Sequence, residues 1–251
     1  MLTKKRQKKY LTKKEKDLLV QLHAFSESGD SEALHRLRLD LKKVKAFVQM
    51  VKECTAKRAS KDMDLLKKLF RQAGKIRDAG NMLQLLERFH SVPPEYKSEQ
   101  DQLRITAARE FHQHAQDYYK QGRKAGRRLL ADVQAIRTRC IKDWYAARLI
   151  KIAVLLTASG DLLHEARKKI KELLYVQRIL PAPLVAGIGL NNDYLDRLQE
   201  AIGEWHDMVI IVTTYAGREG ADSQAMVRAC KEKEAVVRGL AGDFHLRAHL
   251  T

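Results

Sequence analysis

Two segments of the chain place a histidine three residues before an arginine. His35 precedes Arg38, and His164 precedes Arg167. Neighbouring cations disfavour a charged imidazole, so each histidine is expected to be neutral. Neither has a carboxylate or a second histidine three or four residues further on, which a helical metal site or proton-transfer pair would use. The spacing therefore favours a neutral hydrogen-bond donor over a catalytic or metal-binding group.

Each pair is followed by further cations on the same side of its helix. At about 100° per residue, Lys42 and Lys45 fall with His35 and Arg38 beside the apolar row that runs through residues 34–51. We call these four residues the first basic stripe. The second basic stripe comprises His164, Arg167, Lys168, Lys171 and Arg178, with Tyr175 among them.

Acidic residues of both helices are expected to lie outside the stripes. On the same projection Asp40 falls about 140° from His35, while Glu165 and Glu172 fall about 100° and 80° from His164. Exposed helix faces usually mix charges of both signs, and like charges crowded beside a buried face favour a neutralising anion. The stripes predict an anion-binding groove, and the alternative is an ordinary solvated face.

The chain also repeats itself at an offset of 129 residues. The matched positions are His35 and His164, Arg38 and Arg167, Lys42 and Lys171, Leu69 and Leu198, Gly74 and Gly203, and Asp78 and Asp207. Two blocks in one register indicate a duplicated four-helix unit with a pseudo-twofold axis; the alternative is a fortuitous alignment of amphipathic helices. We expect the aspartates to orient stripe residues, unless they are plain surface carboxylates, and the glycines to permit close helix approach.

Hydrophobic residues recur every three or four positions along almost the whole chain, as in amphipathic helices. Between its turn signals, which include residues 181–192, the sequence predicts helices at 12–26, 31–54, 62–89, 96–128, 131–158, 161–179, 192–215 and 222–248. Long helices with short connections favour antiparallel bundles. We therefore expect one all-α domain of residues 1–251 with two four-helix halves, about 1–128 and 130–251, which meet near residues 126–131.

Composition limits the classes of protein and partner. With 45% hydrophobic and 31% charged residues the chain is expected to fold around a core, and Cys54, Cys140 and Cys230 are too few and too far apart for a disulfide scaffold or a zinc site. The net charge is +17, and the first 130 residues contribute 31 basic and 16 acidic side chains. So positive a surface favours an anionic partner.

Membrane association is not expected. No apolar run approaches the roughly 20 residues that span a bilayer, and the basic segment MLTKKRQKKY is not followed by the apolar stretch of a signal peptide. Together with the few, scattered cysteines, this favours a cytoplasmic protein.

The first stripe lies in a segment that resembles a known family signature. Residues 35–47, HRLRLDLKKVKAF, are similar to the first signature of the CHAD family, the conserved histidine α-helical domain, and include Lys43 in its basic run. Residues 164–175, HEARKKIKELLY, resemble the second signature.

Two later segments resemble the Arg–Asp element that follows each signature in the family. KIRDAGNML supplies Arg77 and Asp78, and EWHDMVII supplies His206 and Asp207. The four motifs occur in order, and the resemblance extends from about residue 12 to residue 248.

The resemblance implies two pseudo-symmetric helical halves around a basic central groove or pore that binds inorganic polyphosphate. It implies no catalytic residue, cofactor or metal, and binding could bring the protein to polyphosphate granules. Carried over by position, the ligand-facing residues are His35, Arg38, Lys42, Lys45, His164, Arg167 and Lys171. Lys168 and Arg178 join them from the stripe pattern, and Lys43, Arg77, Asp78, Tyr175, His206 and Asp207 would support them.

The chain departs from the family pattern at several positions. Glu172 and Leu174 stand where the family often has basic residues, and His206 replaces the usual arginine before Asp207. Lysine replaces arginine at 42, 43 and 45. With a net charge of only +2 beyond residue 130, the second half is expected to bind more weakly.

Three other functions compete with this interpretation. A nucleic-acid-binding module fits the pI near 9.8, but 6% aromatic residues supply few stacking platforms. A histidine phosphotransfer bundle would expose His35, yet would not need two basic stripes. A polyphosphate hydrolase would need clustered carboxylates to hold Mg²⁺, and the sequence places none beside the stripes.

Overall fold

The computed structural model describes residues 1–55, 62–87, 94–158, 160–215 and 223–249. Within these ranges the helices are α1 (Lys4–Ser28), α2 (Ser31–Thr55), α3 (Asp62–Glu87), α4 (Pro94–Gln113), α5 (Ala115–Ala131), α6 (Thr138–Leu156), α7 (Asp161–Gln177), α8 (Ala182–Ile188), α9 (Asn192–Tyr215), α10 (Ser223–Ala241) and α11 (Phe244–Arg247). The remaining ordered pairing in the described part is two isolated β-bridges. The expectation of an all-α chain is confirmed. In these ranges no helix combines the length and the apolar character needed to cross a membrane.

The described residues form two compact units that meet in sequence between Arg137 and Thr138. This junction lies beyond the predicted 126–131, because the segment after α5 belongs to the first unit. There the backbones of Leu2 and Ile136 exchange hydrogen bonds of 2.9 and 3.0 Å, and both side chains are buried. The six residues before α6 are therefore not helical, although the sequence predicted a helix from residue 131.

In the first unit α1 packs against α2 and α5, and α3 packs against α2, α4 and α5. The apolar faces of these helices meet in one core, in which Phe111 packs edge-on against Phe25 with ring centroids 4.9 Å apart. Helix α1 begins at Lys4, where the Thr3 hydroxyl accepts a hydrogen bond from the Arg6 amide. The basic N-terminal segment is therefore part of the first unit.

A break at His114 divides the predicted helix 96–128 into α4 and α5. The His114 amide shares its hydrogen between the carbonyls of Glu110 and Phe111, and its φ of −102° departs from the helical value. Neither proline nor glycine marks this position. The break lets α4 pack on α3 while α5 packs on α1, so tertiary packing overrides local propensity here.

In the second unit α7 packs against α6 and α9, and α9 packs against α10. The unpredicted α8 lies within the segment taken as a loop. Pro183 occupies its first turn, where a missing N–H costs nothing, and Gly189 ends it at a φ of 65°. The last predicted helix is interrupted after Ala241, with Asp243 at a φ of 55°. The three cysteines are free and partly buried.

Candidate functional site

The first signature places its arginine between two helices. Arg38 on α2 is 8% exposed, and its Nη1 donates a 3.1 Å hydrogen bond to the backbone carbonyl of Phe70 on α3. Its guanidinium carbon lies 4.8 Å from the centroid of the Phe70 ring. A Cβ atom on Gly74 would come within 2.7 Å of Nη1. Glycine therefore leaves the space that the guanidinium occupies.

The second signature repeats this arrangement. Arg167 on α7 donates from Nε to the carbonyl of Gln199 on α9 over 2.9 Å, and a Cβ on Gly203 would lie 2.7 Å from its Nη2. Gln199 and Gly203 follow Phe70 and Gly74 by the same 129 residues that relate the two arginines. We call this pattern the arginine–glycine contact. The close helix approach predicted at both glycines is an approach of arginine to helix backbone.

The carboxylate predicted to orient the first arginine lies near it. Asp78 Oδ1 is 4.0 Å from Arg38 Nη2, and the Asp78 side chain is 71% exposed. Burial lowers the pKa of Arg38; Asp78 opposes this shift and Arg77 adds to it. Arg38 Nε has no hydrogen-bond partner among the described residues. In the second unit Asp207 is exposed, and its orienting role stays a prediction.

His164 forms a stacked pair with His206, with ring centroids 3.9 Å apart and planes inclined by 25°. Burial lowers the pKa of His164 to about 4, and the charges of His206, Lys168 and Arg167 add to this shift. The pKa of His206 is also lowered, mainly by burial. The expectation of a neutral histidine is thus confirmed for His164, although burial contributes more than the neighbouring cations.

The first unit has no such stack, because Arg77 occupies the position that corresponds to His206. His35 is exposed, whereas His164 is half-buried and its Nδ1 has no hydrogen-bond partner among the described residues. The two signatures are therefore alike at the arginine and different at the histidine.

The lysines of the first unit divide into two groups. Lys45 is exposed and forms no ion pair with a described residue, and Lys42 is half-buried. Lys43, predicted to support the stripe, lies 3.6 Å from the buried Asp40. Lys14 binds the same carboxylate at 2.7 Å. Asp40 is thus turned away from the stripe, as predicted, and draws Lys43 with it.

One acidic residue of the second unit is closer to its stripe than predicted. Lys168 Nζ donates a 2.6 Å hydrogen bond to Glu165, so the expectation that Glu165 stands apart is wrong. Residues three apart on a helix are neighbours whatever their projected angle. Glu172 instead binds Lys169 at 2.9 Å and lies 3.4 Å from Arg148, neither of which belongs to the stripe.

The other members of the second stripe lie along α7 and just after it. Lys171 and Tyr175 are half-buried, and Arg178 is exposed at the residue that follows the last turn. Arg178 forms no ion pair with a described residue. Cationic groups thus remain available in this unit despite the pairing of Lys168.

Sequence reasoning did not find the two backbone carbonyls that receive the arginines. A carbonyl carries no residue-type signal, so Phe70 and Gln199 could have been found only by applying the repeat offset to the residues before each glycine. In the described ranges no cluster of three or more histidine, cysteine or acidic side chains could hold a metal ion.

Comparisons with known proteins agree with this geometry. A family model described as the CHAD domain matches residues 10–215, a range that includes both signatures and both arginine–glycine contacts. The crystal structure of the CHAD domain from the plant Ricinus communis is similar, with a TM-score of 0.70 and 15% sequence identity over 100% of this chain and 94% of that one. No curated protein sequence matches the chain. At this identity the structural likeness shows a common fold.

Proposed function

We propose that this chain, which belongs to the CHAD domain family, binds inorganic polyphosphate on the basic faces of α2 and α7 without altering it chemically. The observation that supports this most is the duplicated arginine–glycine contact, beside which cations stand without acidic partners. Lys45, Arg77 and Arg178 form no ion pair with a described residue. Like charges held beside buried surface favour a polyanion.

Within this proposal the signature arginines and the outer cations act differently. Arg38 spends its Nη1 on the Phe70 carbonyl and is 8% exposed, so its main effect is to hold α2 against α3. The direct contacts then come mainly from exposed or half-exposed groups nearby, such as His35, Lys42 and Lys45. Lysine gives point charge without fixed geometry, which suits a flexible chain of identical phosphates.

The two faces contribute unequally in this proposal. Up to Arg137 the net charge is +15 and beyond it +2, counted from the printed sequence. In the second unit Lys168 is already paired with Glu165. A ligand long enough to reach both faces gains from multivalency, so long polyphosphate is expected to bind more tightly than tripolyphosphate.

A non-catalytic role fits the donor set. Cleavage of polyphosphate by a Mg²⁺-dependent route needs carboxylates grouped around the metal, and the described ranges hold no group of that kind. Recruitment to polyphosphate granules would follow from binding alone.

The test is a titration with long-chain polyphosphate at about 150 mM salt, beside tripolyphosphate and duplex DNA at matched phosphate concentration. We expect tight binding of the long chain, with an affinity that falls linearly with the logarithm of salt concentration as counterions are released. Equal binding of duplex DNA would favour the nucleic-acid alternative. Absence of binding to any of the three would contradict the proposal.

A further inference from the structure

A cavity of about 290 Å³ lies inside the first unit, among α1, α2, α3 and the end of α5. Its walls are mostly aliphatic and aromatic side chains, which include Leu11, Leu41, Val48, Leu66, Phe70 and Val133. A wall of this kind favours an apolar ligand body and disfavours sugars and nucleotides, whose polar groups would lose water without gaining partners.

Two lysines of α2 give the cavity unpaired positive charge. Lys45 and Lys52 stand seven residues apart, about two helical turns, and both line the cavity. Neither forms an ion pair with a described residue. A third lining lysine, Lys67, is bound to Asp64, and the second lining acid is the exposed Asp132 at the end of α5.

A buried acceptor without a partner also lines the cavity. The side chain of Gln7 is fully buried, and its Nε2 donates to the carbonyls of Leu2 and Gln134. Its Oε1 has no hydrogen-bond partner among the described residues. Buried acceptors are normally satisfied, so this atom is a place where a bound molecule could donate a hydrogen bond.

We propose that this cavity binds a small amphiphilic anion, with its apolar body among the side chains of the wall and its acidic head at Lys45 and Lys52. An apolar cavity of about 150 Å³ holds one benzene molecule. The present volume therefore suits a body of roughly ten carbon atoms. The site is independent of polyphosphate binding, although Lys45 belongs to both.

Calorimetric titration of the full chain with decanoate tests the proposal. Decyltrimethylammonium has the same apolar body with the opposite charge, and acetate has the acidic head without the body. We expect decanoate to bind at one saturable site, and both comparison compounds to bind at least tenfold more weakly. Absence of saturable decanoate binding, or equal affinity for decanoate and its cationic counterpart, would overturn the proposal.

Variants locate the site. Lys45→Gln with Lys52→Gln should weaken decanoate binding about tenfold, whereas Lys4→Gln with Lys8→Gln removes two exposed charges of α1 and should leave it unchanged. Val48→Phe should abolish binding by filling the cavity, with circular dichroism to verify folding. If Val48→Phe does not fold, the lysine pair decides. Equal effects of the two lysine pairs would overturn the assignment.

Discussion

At the scale of single residues, Arg38 and Arg167 each exchange water for a backbone carbonyl of the neighbouring helix. The helical projection places Arg38 about 40° from the apolar row, so partial burial could be foreseen. The carbonyl that it meets could not, because this depends on the register in which α2 and α3 pack. The repeat offset then transfers the answer from one unit to the other.

The glycine opposite each arginine gives the first prediction. An alanine inside a helix is normally more stable than glycine by about 0.5–1 kcal/mol, and Gly80→Ala on α3 should follow this rule because its Cβ would meet only Arg104 Cδ, at 4.0 Å. Gly74→Ala should instead destabilise by about 1–3 kcal/mol, because its Cβ would displace the Arg38 guanidinium.

Urea unfolding of the two variants measures this difference. Gly203→Ala should cost more than Gly74→Ala, because three guanidinium atoms of Arg167 lie within 2.9 Å of the new Cβ, against one atom of Arg38 within 3.0 Å. A Gly74→Ala variant as stable as Gly80→Ala would contradict the account of the arginine–glycine contact.

The stacked histidines give a prediction on pH. The pKa of His164 lies near 4 in the folded chain and near 6.5 when unfolded, so the unfolded chain binds more protons between these values. The stabilising contribution is present above about pH 6.5 and is lost as the pH falls toward 4. His164→Gln should therefore reduce the loss of stability between about pH 7 and about pH 5, measured by urea unfolding. An unchanged loss would contradict it.

At the scale of elements, the long helices follow from periodicity, since each must bury one apolar face. Errors arise where tertiary contacts decide. The break at His114 has no breaker residue, and residues 132–137 are extended because Ile136 pairs with Leu2. Helix α8 did have a signal, with Pro183 in the first turn and Gly189 at the end, which a loop assignment overlooked.

The contact between α1 and α2 gives a prediction at this scale. Lys14 binds both the buried Asp40 and the more exposed Asp17. Asp40→Asn removes one partner of a mostly buried ion pair and should destabilise the fold by about 3 kcal/mol. Asp17→Asn removes the partner within α1 and should cost at most about 1 kcal/mol.

Thermal or urea unfolding of the two variants distinguishes these roles. Equal destabilisation would mean that Asp40 does not tie α1 to α2 as the structure indicates. Helix α2 would then be positioned by its apolar contacts alone.

At the scale of the whole molecule, the charge asymmetry and the repeat are both visible in the sequence, and the family model agrees with them. Which cations are available is not visible there. Lys43 and Lys168 are paired with acids, whereas Lys45 and Arg178 are not paired with any described residue. Such pairings depend on side-chain positions that a helical projection cannot give.

The basic N-terminal segment must be separated from the stripes in any binding assay. Deleting it would remove the buried Leu2 and Gln7, so it would disturb the first unit as well as its charge. The exposed lysines of the first two turns of α1 offer a better control, since their heads can be neutralised while the buried residues stay.

The most direct test compares two variants that each lose four positive charges. The stripe variant carries Lys42→Gln, Lys45→Gln, Lys171→Gln and Arg178→Gln, and the control variant carries Lys4→Gln, Lys5→Gln, Lys8→Gln and Lys9→Gln. The measurement is the affinity for long-chain polyphosphate at about 150 mM salt. We predict a loss of at least tenfold in the stripe variant and less than about threefold in the control. Equal losses would mean that diffuse charge, and no built site, binds the polyanion.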